Sequence, residues 1–213
     1  ESASDRRGAV NSAVDLVRLA ELSDWLPHGQ VDGALAKISQ DADWHPLSRA
    51  VAHWLRYQRA QLDLNMTVAK ASRDALGLLH KFVYRAGRVS SPLEGFKSKG
   101  WRHYPKAQGT GLIRLDPLFP VHGPRQATLV TDVLVTEPVT AVLRLGFSDE
   151  AQVWLNGDRI FRSRVGHGVW LDQHAAVVHL RRGRNRLMAQ VKKGPGQWAF
   201  VARITTPRGD PIS

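Results

Sequence analysis

The sequence predicts an α+β protein: a helical first part, either a bundle or a helical-repeat segment, followed by an antiparallel β-sandwich. Three observations carry this. Over residues 8–84 apolar side chains recur every three or four positions, the period of a helix with one buried face. From Ala127 onward the apolar period falls to two, as in strands that turn one face to a core. Between these stretches, residues 87–125 hold eleven Gly and Pro, which breaks both periods and marks a long connection. The expected domains are therefore 1–86, helical; 87–125, a connector packed on the sandwich; and 126–213, the sandwich, with its start reaching back toward residue 100.

Taken in order, Val10, Val14 and Val17, widened by Leu16, Leu19 and Leu22, make a first helix that Pro27 and Gly29 break. A short second helix is expected over Val31 to Ser39. Asp41-Ala-Asp-Trp-His-Pro then forms a turn, with Pro46 suited to the first helical position, where its missing N–H costs nothing. A third helix runs from Leu47 to about Leu62 and a fourth from Leu64 to Tyr84. In the connector, Leu112 to Leu115 reads as one strand. Gly100-Trp-Arg-His-Tyr-Pro is too aromatic for a flexible linker and is expected to pack.

In the second half Val139, Ala141, Leu143, Leu145 and Phe147 alternate with polar partners. Leu187, Ala189 and Val191 are expected to face inward against Met188, Gln190 and Lys192. Trp198, Phe200, Ala202 and Ile204 alternate with Ala199, Val201 and Arg203. Turn pairs such as Asn156-Gly157 and Gly194-Pro-Gly196 separate the strands at 8–12 residue spacing, which suits an antiparallel sandwich.

Composition narrows the classes. A hydrophobic content of 43% with 23% charged residues suits an ordinary globular chain, and no apolar run approaches the roughly 20 residues needed to span a bilayer. The polar opening Glu1-Ser-Ala-Ser-Asp-Arg-Arg shows no signal peptide. Zero cysteines exclude disulfides and thiolate chemistry without fixing the compartment. The net charge of +11 is uneven: residues 1–90 carry 12 Lys and Arg against 10 acids, residues 91–213 carry 18 against 9. The second half thus favours anionic partners, unless its basic surface is only solvated.

The segments Val153-Trp-Leu-Asn-Gly157 and Leu180-Arg-Arg-Gly-Arg-Asn-Arg-Leu-Met-Ala-Gln-Val191, preceded by Leu145-Gly-Phe-Ser-Asp149, resemble the galactose-binding-like β-sandwiches. These include the sugar-binding jelly rolls attached to family 2 glycoside hydrolases. The resemblance covers roughly residues 100–208. It implies a jelly-roll fold, carbohydrate as ligand, a secreted or periplasmic bacterial setting, and a ligand held on loops at one end of the sandwich. It also allows a structural calcium held through Asp149 or Asp172. The helical first half loosely resembles tetratricopeptide-type repeats.

Sugar binding needs an aromatic face for the pyranose and planar polar groups for its hydroxyls. Trp170, Asp172 and His167, on the glycine-bearing loop Arg164-Val-Gly-His-Gly-Val-Trp-Leu-Asp, are the leading candidates: Trp170 to stack, Asp172 and His167 to bond hydroxyls. The structural alternative is that Trp170 caps the core. Trp101 and Tyr104 rank behind them, and Trp154 and Trp198 read as core. Arg162 and Arg164 share one side of a strand, as do Arg182, Arg184 and Arg186 around the next turn. Were these strands neighbours, the arginines would form a ridge able to hold carboxylates or sulfates bidentately.

Other chemistries find little footing. No histidine pair has metal-ligand spacing with a nearby carboxylate, so no cofactor is expected beyond that structural calcium. No recognition helix or aromatic strand pattern supports nucleic acid. Glycoside hydrolysis needs two carboxyl groups about 5–9.5 Å apart, and only Glu94 and Asp116 of the connector suggest themselves. The expectation is a non-catalytic module for anionic glycans. The alternative is a scaffold docking onto protein, in which Trp101 and Trp170 would be buried.

Overall fold

The computed structural model describes residues 28–79, 81–87, 100–103, 112–120, 122, 125–164 and 168–212, together with Gly8, Ser12 and Asp15. The first expected helix, built on Val10, Val14 and Val17, lies outside the described residues. The chain divides into two compact units, Glu1–Gly77 with Thr205–Ile212, and Leu78–Ile204.

In the first unit, helices α1 (His28–Gln40), α2 (Pro46–Leu62) and α3 (Met66–Leu76) follow one another through short turns. Helix α2 begins with Pro46 in its first turn, and the His45 ring accepts a hydrogen bond from the Leu47 N–H, satisfying one of the orphan donors there. Helix α3 is capped by the Asn65 side chain and ends at Gly77, whose φ of +61° is left-handed. Val31 and Leu35 of α1 pack with Val51 and Ala52 of α2, while Tyr57, Ala60 and Ala69 join α2 to α3. The chain's end returns to this unit. Arg49 Nη2 pairs with Asp210 at 2.8 Å, and a Cβ on Gly209 would meet Pro46 at 2.6 Å.

Gly77 also explains where the expected fourth helix fails. Beyond it, Phe82 and Tyr84 alternate with Lys81, Val83 and Arg85, a period of two, and Val83–Ala86 forms strand β1 rather than helix.

The second unit is two antiparallel sheets. One carries six strands in the order β2 (Arg102–His103), β1, β4 (Gln126–Val135), β9 (Gly183–Lys192), β6 (Ala151–Leu155), β7 (Asp158–Ser163). The other carries β3 (Ile113–Arg114), β10 (Ala199–Thr205), β5 (Val139–Phe147) and β8 (His174–Leu180). They face each other as a sandwich. Phe82, beside β1, meets Phe200 of β10 edge-on at 5.9 Å, and at the other side Phe147 of β5 meets Phe161 of β7 at 5.8 Å. Leu129, Leu143, Leu145, Val153 and Leu187 fill the space between.

The alternation holds at the sheet margins and fails at the centre. Met188 and Gln190 of β9, expected outside, are 2% exposed, and every residue of β10 is buried, Arg203 included. Central strands are covered on both faces, so their polar residues must find partners inside the protein.

Candidate functional site

The two most recognisable sequence pieces clamp one another. Asn156, at φ +53°, makes the β6–β7 turn. Its Nδ2 donates to Asn185 Oδ1 at 3.0 Å, and its Oδ1 accepts from the Arg186 N–H at 2.9 Å. Asn185 is fully buried; its amide accepts from the Arg181 N–H and donates to the Arg181 and Gly183 carbonyls. Asn-Gly and Gly-x-Asn therefore fix two turns at one end of the six-stranded sheet, which is structural chemistry.

Asp172, expected to bond sugar hydroxyls, is held in the interior. Its side chain is 2% exposed and takes a bidentate grip from Arg203 of β10, Nε at 2.8 Å and Nη2 at 2.6 Å. Arg144 of β5 adds a third contact at 3.6 Å. Two guanidinium groups thus stand beside its oxygens where a calcium would have to bind. Asp149, the other carboxylate weighed for calcium, accepts from the Gly194 N–H at 2.8 Å. Among the described residues no group of three His, Asp or Glu side chains converges as a metal site.

Trp170 stands two residues ahead of Asp172 and is 58% exposed. A Cβ on Gly146 would collide with the Trp170 carbonyl oxygen and approach Val201, so this loop lies directly on the outer face of the four-stranded sheet. Gln173 secures it, donating to the Gly168 carbonyl and accepting from the Phe147 N–H at 2.8 Å. His167, like Tyr104 and Glu94, lies outside the described residues.

The arginines do not form one ridge. Strand β6 separates β7 from β9, and the register runs Arg162 to Gln152 to Gln190, six positions along β9 from Arg184. At about 3.3 Å per residue that is roughly 20 Å. Arg184 instead lies beside Asp132, which Arg186 holds at 2.9 Å, and Arg182 sits exposed in the β8–β9 turn. Arg162 is on the outer face of the six-stranded sheet, because its neighbour Phe161 points inward to Phe147. Trp170 rests over the outer face of the other sheet, so tryptophan and arginine occupy opposite faces of the sandwich. Trp101, half-buried, precedes β2 at the edge farthest from β7.

The structure does bring one polar set together. On β6, Ala151, Val153 and Leu155 point inward, leaving Gln152 and Trp154 half-buried on the outer face. Gln152 lies opposite Arg162 on one side and Gln190 on the other, and the row continues through Thr128 to Arg85. Gln126 Nε2 donates to Gln190 Oε1 at 3.2 Å. Two residues farther along β9, Lys192 Nζ reaches Glu150 at 2.6 Å. That hydrogen bond, more than the nearby Arg164 and Arg162 charges, holds the Glu150 carboxyl below its usual range. Lys192 is thus bonded to Glu150, Arg162 and Arg164 stand near it, and the half-buried Gln152 amide and Trp154 indole lie on the same face, with Gln190 buried beside them. Trp154, expected in the core, faces out; its parity with Gln152, opposite to Val153 and Leu155, is the signal in the sequence.

Asp116 is also committed. Burial works to raise its carboxyl, but hydrogen bonds from Lys193 Nζ and the Trp198 N–H, with the charges of Lys193 and Arg114, outweigh this and hold it low. No described helix is long and apolar enough to cross a membrane.

No family model matches the chain, and no curated protein matches it. Among solved structures it is similar to a β-glucosidase from Kluyveromyces marxianus, at 15% identity and a TM-score of 0.40, over 59% of this chain and 16% of that one. A glycosyl hydrolase family 2 member from Bacteroides cellulosilyticus aligns at 13% identity and 0.43, over 60% and 20%. A family 2 β-galacturonidase from Eisenbergiella tayi, bound to galacturonate, aligns at 12% and 0.39, over 58% and 23%. The chain spans less than a quarter of the length of each. Likenesses of this size carry no argument about ligand or activity.

Proposed function

We propose that this chain is a non-catalytic carbohydrate-binding module for anionic glycans, within an exported bacterial protein of the galactose-binding-like kind. The observation that supports it best is the surplus of Arg162, Arg164 and Lys192 over the single Glu150, next to Gln152 and the half-buried Trp154. Guanidinium forks suit a sugar carboxylate or sulfate, amides suit hydroxyl pairs, and an indole face suits a pyranose ring. The arginines' role then falls on the outer face of the six-stranded sheet, and Trp170 is an independent exposed aromatic. Exposure of Trp170 favours binding over the scaffold alternative, which requires it buried. The exported setting rests on the sequence resemblance alone, and the non-catalytic role on the commitment of Asp116 and Asp172 to internal pairs.

The test is a titration with a uronate polymer, a neutral glucan and duplex DNA at low and high salt. Salt-sensitive binding to the uronate in preference to DNA, weakened roughly tenfold by Arg162→Ala with Arg164→Ala and lost with Trp154→Ala, is the expected result. Equal binding to DNA, or indifference to all three substitutions, would sink the proposal.

A further inference from the structure

Sheet edges expose unpaired N–H and C=O groups, and proteins blunt them with charge, proline, bulges or brevity. Three of the four edge strands here follow that rule. β2 is two residues long and carries Arg102; β3 is two residues long and carries Arg114. β7 carries Asp158, Arg159 and Arg162, and its pairing with β6 shifts register between Val153 and Trp154.

Strand β8 has none of these devices. His174-Ala-Ala-Val-Val-His-Leu180 runs seven residues with no Lys, Arg, Asp, Glu, Pro or Gly, and pairs with β5 without a register shift. It is the edge of the four-stranded sheet, and the groups of residues 175–180 that point away from β5 meet no partner among the described residues. Its outer side chains are open to solvent: Ala175 and His179 are exposed, and Val177 is 68% exposed. An unbroken, uncharged edge of this length is a strand-pairing surface.

We infer that β8 pairs antiparallel with β8 of a second copy of this chain about a twofold axis at Val177, joining the two four-stranded sheets into one. Charge permits this occupant. Copies of a chain with net charge +11 repel, and an uncharged edge is where two can meet without opposing like charges. Residues directly opposite in an antiparallel pair share a face, so the twofold must pass through a residue, and Val177 is the midpoint of 174–180. That register sets Val177 against its own copy, Ala175 against His179, and His174 against Leu180, all neutral pairs. The first flanking cation, Arg181, falls opposite Gln173. The register is thus self-complementary, as a twofold interface requires. Seven residue pairs make a small interface, so the dimer is concentration-dependent. It depends on different residues from the proposed glycan face.

Sedimentation velocity of the full chain across a wide concentration range tests this. The wild type is expected to shift from monomer to dimer as concentration rises. Val177→Lys and Val177→Glu, at an exposed position that leaves the melting temperature unchanged, each place like charges across the axis and weaken dimerisation roughly tenfold. Mixing the two variants is expected to restore a heterodimer, because the opposed charges now attract. A wild type that stays monomeric throughout, a dimer unaffected by Val177→Lys, or a mixture that stays monomeric would each overturn the inference.

Discussion

Two groups of arginines in the sandwich share chemistry and differ in circumstance. Arg203 and Arg144 lie within the protein around Asp172, while Arg162 and Arg164 stand in solvent around Glu150. The first group is held by a carboxylate that is 2% exposed; the second only stands near one that is 40% exposed and bonded to Lys192. A guanidinium withdrawn from water must be paired and hydrogen-bonded, and then its removal is costly. An exposed one is screened and leaves its binding capacity available to a ligand. Structural need and ligand capacity are therefore separated by burial, with the same residue type serving both.

The largest expected effect breaks the buried side. Asp172→Asn keeps the shape and tolerates the left-handed φ of +56°, but it removes the charge and turns one of the two oxygens that accept from Arg203 into an NH2 donor. Two guanidinium groups then lie inside without their carboxylate. A loss of roughly 3–5 kcal/mol is expected, read as a fall in melting temperature of about 6–20 °C. A shift under about 2 °C would show that other groups already neutralise the pair.

Much of this was readable beforehand, and the failures have physical causes. The change of period, the Asn156-Gly157 hairpin and the start of α2 at Pro46 are local signals, set by φ preferences and side-chain spacing. Strand β1 hid because Leu78–Tyr84 is apolar at both periods, and only the left-handed Gly77 decides between them. Asp172 was misread because a polar residue on a glycine-rich loop normally faces water. Its counterpart signal was Arg203, a lone charge inside Trp198-Ala-Phe-Val-Ala-Arg-Ile204, which demands an internal partner. The split of the arginine ridge was not legible at all. Strand order is a long-range property, and β6 lies between β7 and β9 through pairings remote in sequence.

A middle-sized effect tests the motif itself. Asn185→Ala deletes an amide that serves the Arg181 N–H, two carbonyls and Asn156. Groups left buried without partners make a loss of about 1–3 kcal/mol the expected outcome in urea denaturation. Glycan affinity should hold once the variant is folded, because the clamp sits at the Arg184 end of β9, away from Arg162. Lost affinity with unchanged stability would mean that the clamp is itself the site.

The smallest effect on stability is the most informative about function. Arg162→Ala removes an exposed side chain whose positive charge helps hold the Glu150 carboxyl low, a carboxylate that keeps its bond to Lys192. Stability should change by no more than about 0.5 kcal/mol. Binding to a uronate polymer should weaken and become less sensitive to salt, since one cation fewer meets the ligand. An Arg162→Ala variant that melts several degrees lower would place Arg162 with Arg203 among the structural arginines, and the contrast between the two groups would collapse. A variant with unchanged melting and weaker uronate binding would establish it, because no merely structural role moves affinity while leaving the fold untouched.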